Sequence, residues 1–151
     1  DVALQSLAPE YDVLHIAGHA VVRIDAPQMS HLVLASDGQS DGAVFSNEIA
    51  GWSLARTRLV VLSGCSTSGG ALSATEGASS LARAFFAAGV STVVASLWTI
   101  EDEETADFFT AFHRRLARGE DAASALRETQ IERIATGRQP SAWAAFQVFG
   151  R

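Results

Sequence analysis

The run Leu59-Val60-Val61-Leu62 constrains this chain more than any other stretch. Four consecutive aliphatics leave no polar face, so the segment reads as a strand covered on both sides, as in the middle of a parallel sheet. The lone cysteine, Cys65, follows after Ser63-Gly64, and the small loop Ser66-Thr67-Ser68-Gly69-Gly70 comes next. A thiol just past such a strand stands at the sheet's carboxyl edge, where open α/β sheets bind ligands. Cys65 is therefore a candidate nucleophile, and the rest of the chain has to supply or deny it a base.

The other segments fit a sheet of this kind. Leu4 and Leu7 read as the tail of a helix ended by Pro9, and Asp12 to Ala17 as a strand with Gly18-His19-Ala20 as its exit. His31 to Ala35 is a second short strand. The turn signals Asp37-Gly38 and Asp41-Gly42 close it as a hairpin onto Ala43-Val44-Phe45. Ser46-Asn47-Glu48-Ile49 opens a short helix. Glu76 to Ala88 is a helix with Leu81, Phe85 and Ala88 on one stripe, stopped by Gly89. Thr92 to Leu97 is a further strand. Thr99-Ile100-Glu101-Asp102 resembles a capping box that opens a long helix to about Arg118, with Phe109, Phe112 and Leu116 on its apolar side. Asp121 caps another helix to about Thr136, and Ala144 to Phe149 is a last strand. Strands alternating with helices imply an α/β sandwich with a largely parallel sheet. The chain enters its first strand almost at once, as a domain cut from a longer protein would.

Composition removes several classes of function. The 151 residues carry 11 basic and 17 acidic side chains, a net charge of −6 without a basic cluster, so direct nucleic-acid binding is not expected. Every basic residue is an arginine, which excludes a lysine-bearing phosphate loop, a Schiff-base lysine and a Ser-Lys dyad. One cysteine excludes multi-cysteine zinc sites and an internal disulfide, and it fits a reducing compartment. No apolar run reaches the roughly 20 residues of a membrane span, and the first residues lack the pattern of a signal peptide.

Four histidines could act as the base. His113 lies beside Arg114 and Arg115 and reads as a solvated helix residue; His31 carries no further signal. His15, inside a buried-looking strand, reads as a satisfied core histidine. His19 follows Gly18 at a strand's carboxyl end, the same edge that presents Cys65, and adjacent strand ends can bring an imidazole to a thiol. A buried cysteine that is only a small hydrophobe remains the alternative, as does a weak His15/His19 metal pair.

These residues resemble a family. Asp12-Val13-Leu14-His15-Ile16-Ala17-Gly18-His19 and Leu59-Val60-Val61-Leu62-Ser63-Gly64-Cys65-Ser66-Thr67 are similar to the two catalytic blocks of CHAT domains, caspase-like domains related to separases, caspases and gingipains. Gly77, Ala82-Arg83-Ala84-Phe85-Phe86-Ala87-Ala88-Gly89, Val93-Val94-Ala95-Ser96-Leu97-Trp98, Ala125-Leu126-Arg127 and Trp143-Ala144-Ala145-Phe146 continue the series in family order. The resemblance implies a caspase-haemoglobinase-like three-layer α/β/α sandwich, lacking its N-terminal strands, over residues 1–151, as the catalytic part of a longer protein. It implies a cysteine endopeptidase with His19 as base and Cys65 as nucleophile. Backbone N–H groups at Ala20 and Cys65 would form the oxyanion hole. The family commonly has glycine where Ala20 stands, a strain only if that position needs positive φ. It often has alanine where Gly64 stands, a change expected to be tolerated.

The segment Trp98 to Asp102 resembles the separase segment whose aspartate lines the pocket for a substrate arginine. Asp102 is then the expected specificity residue, favouring cleavage after Arg and less so Lys, and Trp98 could wall the pocket. Helix capping is the competing reading of Asp102, packing is an equal alternative for Trp98, and Trp143 reads as a core residue. The expected partners are a protein substrate and a regulatory or helical-repeat region, in bacterial signalling or defence, in the cytoplasm. Neither cofactor nor metal is called for. Regulation is expected at Val21–Gln28 and Ser66–Thr75, which flank the dyad. Two other readings stay open: a catalytically silent caspase-like module that docks partners, and a flavodoxin-like domain with a phosphate on the Gly/Ser loop.

Overall fold

The computed structural model describes residues 2–23, 25–36, 40–64, 80–98 and 100–150. The chain starts with helix α1 (Val2–Leu7) and a 3-10 turn (Ala8–Glu10), then strand β1 (Val13–Ile16) and strand β2 (His19–Val21). Strands β3 (His31–Val33) and β4 (Ala43–Phe45) lead to the four-residue helix α2 (Ser46–Ile49). Strand β5 (Leu59–Leu62) precedes helix α3, described over residues 80–87, and strand β6 (Thr92–Ser96). Helices α4 (Asp102–Leu116), α5 (Ala122–Ala135) and α6 (Pro140–Trp143) and strand β7 (Phe146–Gly150) complete it.

Four strands form the main sheet in the order β1-β5-β6-β7. The first three are parallel, His15 lying opposite Val61 and Val61 opposite Val94, whereas β7 is antiparallel to β6. All four residues of β5 are buried, which is why its sequence has no polar alternation. Val60 and Leu62 face a core shared with Leu81 and Phe85 of α3, while Leu59 and Val61 face Phe108, Phe109 and Phe112 of α4. Helices therefore cover both faces of a mostly parallel sheet, the expected three-layer α/β/α arrangement.

The hairpin between β3 and β4 forms as expected, with Leu34 N–H bonded to Gly42 O at 2.8 Å. A second sheet, β2-β3-β4, is antiparallel and was not foreseen. Residues 19–21, read as a strand exit, pair with β3, Ala20 opposite Leu32. Ala20, Leu32 and Val44 bury their side chains in the α3 core, and that burial explains the extra strand.

Local chemistry sets the helix ends. α4 has Glu101 as its N-cap without a side-chain cap bond, so the capping box expected from Thr99 does not define its start; Thr99 itself lies outside the described residues. Asp102, Glu103 and Glu104 in its first turn and His113, Arg114 and Arg115 in its last complement the helix dipole. α5 is capped as expected, Asp121 Oδ1 accepting from the N–H groups of Ala123 and Ser124 at 3.0 and 2.9 Å. α2 differs: Ser46 donates its hydroxyl to Pro27 O, and Glu48 accepts from Phe45 N–H at 2.7 Å instead.

Candidate active site

The ends of β1 and β5 touch. A Cβ placed on Gly64 would lie 1.4 Å from Gly18 O, so the backbones meet where no side chain fits. Gly18 directly precedes His19, and Gly64 directly precedes Cys65. Two further bonds fix the junction: Ser63 N–H to Ile16 O at 3.2 Å, and the Ser96 hydroxyl to Gly64 O at 3.0 Å. The expectation that glycine at position 64 is a small, tolerated change understates its role, because an alanine here would have to force the strands apart. Cys65 itself lies outside the described residues, as does Ser66–Thr75.

His19 opens β2 and pairs with Val33 of β3, while its side chain is exposed and makes no hydrogen bond to another described residue. It lines a cavity of about 710 Å³ with Ala17, Gly18, Ser63 and Gly64, a volume within the ~300–1,000 Å³ typical of ligand pockets. The opposite wall is one face of α4: Asp102, Thr105, Ala106, Phe109, Thr110 and His113. That face runs about 16 Å at 1.5 Å per residue. Asp102, at its start, is exposed and makes no ion pair with a described residue.

Trp98 is not on this wall. Its indole N–H donates to Ser141 O at 2.9 Å, and its ring packs on the α4 core, as a packing tryptophan does. Trp143 packs on the same core. Ala20, buried in β2, has no positive φ, so alanine is unstrained where the family commonly has glycine. Of the residues from Val21 to Gln28, Pro27 accepts the hydroxyls of Ser46 and Ser80 on its carbonyl oxygen, and Arg23 N–H donates to Ser30 Oγ.

Two histidines sit differently from their sequence readings. His113 is not a solvated helix residue; it is half-buried, with Nε2 2.8 Å from His15 Nδ1. The other ring nitrogen of His15, Nε2, lies 2.8 Å from Ser63 Oγ. His15 is satisfied, as expected, but its ring opens on the cavity instead of being buried in the core. On its closed sides it meets Phe109 and His113, at centroid separations of 4.8 and 4.9 Å. Loss of water around the ring, then the neighbouring His113, pull the His15 pKa down to about 4. Burial lowers that of His113 as well. The position of His113 four residues after Phe109 was the signal that it shares the inward face. His31 stacks on Phe45 away from the cavity. Among the described residues no three His, Cys, Asp or Glu side chains are placed to hold a metal.

A mostly parallel sheet clad in helices on both faces, with a histidine and a cysteine following its touching strand ends, defines a caspase-like domain. The family model of the CHAT domain matches residues 2–151, and the chain belongs to that family. Tetratricopeptide repeat protein 28 of Homo sapiens is 35% identical over 95 residues, 62% of this chain and 4% of that protein. The Mus musculus protein of the same name is 34% identical over 95 residues, with the same shares. The chain thus spans a small part of these relatives. No helix among the described residues is long and apolar enough to cross a membrane.

Proposed function

We propose that this domain is a cysteine endopeptidase that cuts a protein partner after arginine, and less readily after lysine. The observation that carries the reading is the contact of Gly18 with Gly64, since it joins the backbones from which His19 and Cys65 project. In this reading His19 takes the thiol proton of Cys65, and the thiolate attacks the scissile carbonyl. The tetrahedral intermediate, stabilised by the backbone N–H of Cys65, collapses to a thioester as the leaving amine takes the proton from the imidazolium. Water, deprotonated by His19, then cleaves the thioester and restores the thiol. No metal or cofactor is needed for any step.

Asp102 is the proposed partner of the substrate guanidinium, which a carboxylate can bind through two parallel hydrogen bonds. Ala106 and Phe109, one and two turns further along α4, offer an apolar wall to the arginine methylenes. The cavity is larger than one side chain requires, which supports binding of a peptide segment and not a single residue. The relatives are tetratricopeptide repeat proteins by name, which supports a helical-repeat region beside this domain and control by a partner bound there.

The test is cleavage by the full-length protein of candidate partners encoded beside its gene. A cut after Arg that Cys65→Ala abolishes is expected. Asp102→Asn should lower the rate after Arg about a hundredfold by leaving the guanidinium without its anion. An undiminished cut in Cys65→Ala would overturn the reading.

A further inference from the structure

We infer that Ser63, His15 and His113 form a hydrogen-bonded relay that positions both members of the dyad against α4. The inference rests on the peptidase reading above and gives it three positioning residues outside the dyad. Ser63 stands two residues before Cys65, and His15 four residues before His19. The bond between them, 2.8 Å from Ser63 Oγ to His15 Nε2, therefore clasps the two strands that lead into the site. The second bond, 2.8 Å from His15 Nδ1 to His113 Nε2, ties the clasp to the helix that begins with Asp102. One helix is thus bonded to the two strands that run toward His19 and Cys65, and the same helix begins with Asp102.

Packing alone does not explain these side chains. The His15 ring is covered by Phe109 and His113 on its closed sides but still opens on the cavity, so it is not a fully sealed core side chain. Hydrocarbon contacts are non-directional and tolerate small slips, whereas a linear chain of hydrogen bonds fixes distance and angle. Ser63 can donate to His15 Nε2 while His15 Nδ1–H donates to His113, or every donor can reverse. Both arrangements use neutral rings; protonating both histidines would set two N–H groups face to face. Burial keeps the rings neutral near pH 7. The other titratable groups lining the same cavity are His19 and Asp102.

The experiment is the rate of Cys65 alkylation by iodoacetamide against pH, with kcat and KM on an arginine substrate measured beside it. The wild-type thiol should titrate below about 7.5, as a histidine-paired cysteine does. His113→Ala and Ser63→Ala should move it toward the free-thiol value of about 8.5 and lower kcat about tenfold or more at unchanged KM. His113→Gln, whose amide can donate to His15 Nδ1, should restore most of both. Should His113→Ala fail to fold, Ser63→Ala, which loses a single oxygen, decides the matter. Wild-type profiles in both variants would overturn the relay and leave the dyad standing. A wild-type thiol that itself titrates near 8.5 would overturn the dyad, and the relay with it.

Discussion

Strands β1 and β5 are neighbours, run parallel, and each leads to one half of the proposed dyad, yet they are built differently. β5 is sealed on both faces, Leu59 and Val61 under the phenylalanines of α4 and Val60 and Leu62 under α3. β1 is sealed on one: Leu14 and Ile16 are buried in the α3 core, while His15 and, just beyond the strand, Ala17 open on the cavity. The cause is the reach of α4, which covers β5, β6 and β7 with Phe108, Phe109 and Phe112 and leaves the edge strand partly bare. Cys65 thus follows a strand buried on both faces, and His19 borders the open cavity. The same protein face supplies stability at β5 and access at β1.

That contrast can be broken where the strands meet. Gly64→Ala, with its Cβ against Gly18 O, should cost about 5 kcal/mol or abolish folding, read by thermal or urea unfolding. Phe112→Ala removes a fully buried ring over β5 and should cost about 3–5 kcal/mol. An equally large loss from Asp102→Asn, on the open side, would contradict the comparison; less than about 0.5 kcal/mol is expected there. Acid sharpens it further. His15 stays neutral in the folded chain below its ordinary value of 6.5, down to about 4, so the unfolded chain binds more protons in that window. Stability should therefore fall as pH drops from 6.5 toward 4, and His15→Gln should flatten that slope. The carboxylates of Asp12, Asp25 and Asp121, held below 3.8 by Arg56, Arg23 and the α5 cap respectively, act in a separate window at lower pH.

The sheet was legible because its strands announce themselves. An all-aliphatic run such as Leu59–Leu62 has one comfortable place in an α/β protein, and the ordered motifs around His19 and Cys65 named the family. The small antiparallel sheet was half legible: turn residues marked the β3–β4 hairpin, but His19-Ala20-Val21 is too short for its alternation to signal a strand. The arginine neighbours of His113 suggest a solvated position, whereas a helix places residue 109, four back, beside it. Gly64 looked like a minor variation because its need arises from a backbone on another strand. The cavity was invisible in sequence, since it depends on how far α4 reaches across the sheet. Trp98 carries the motif of a pocket residue but packs, half-buried, against the α4 core.

The most direct test of the central claim needs neither substrate nor activator. Cys65 can be titrated by the pH dependence of its alkylation in the wild type and in His19→Ala. If His19 stands against the thiol, the wild-type apparent pKa lies below about 7.5 and the variant returns it to about 8.5. Superimposable profiles in the two proteins would contradict the dyad.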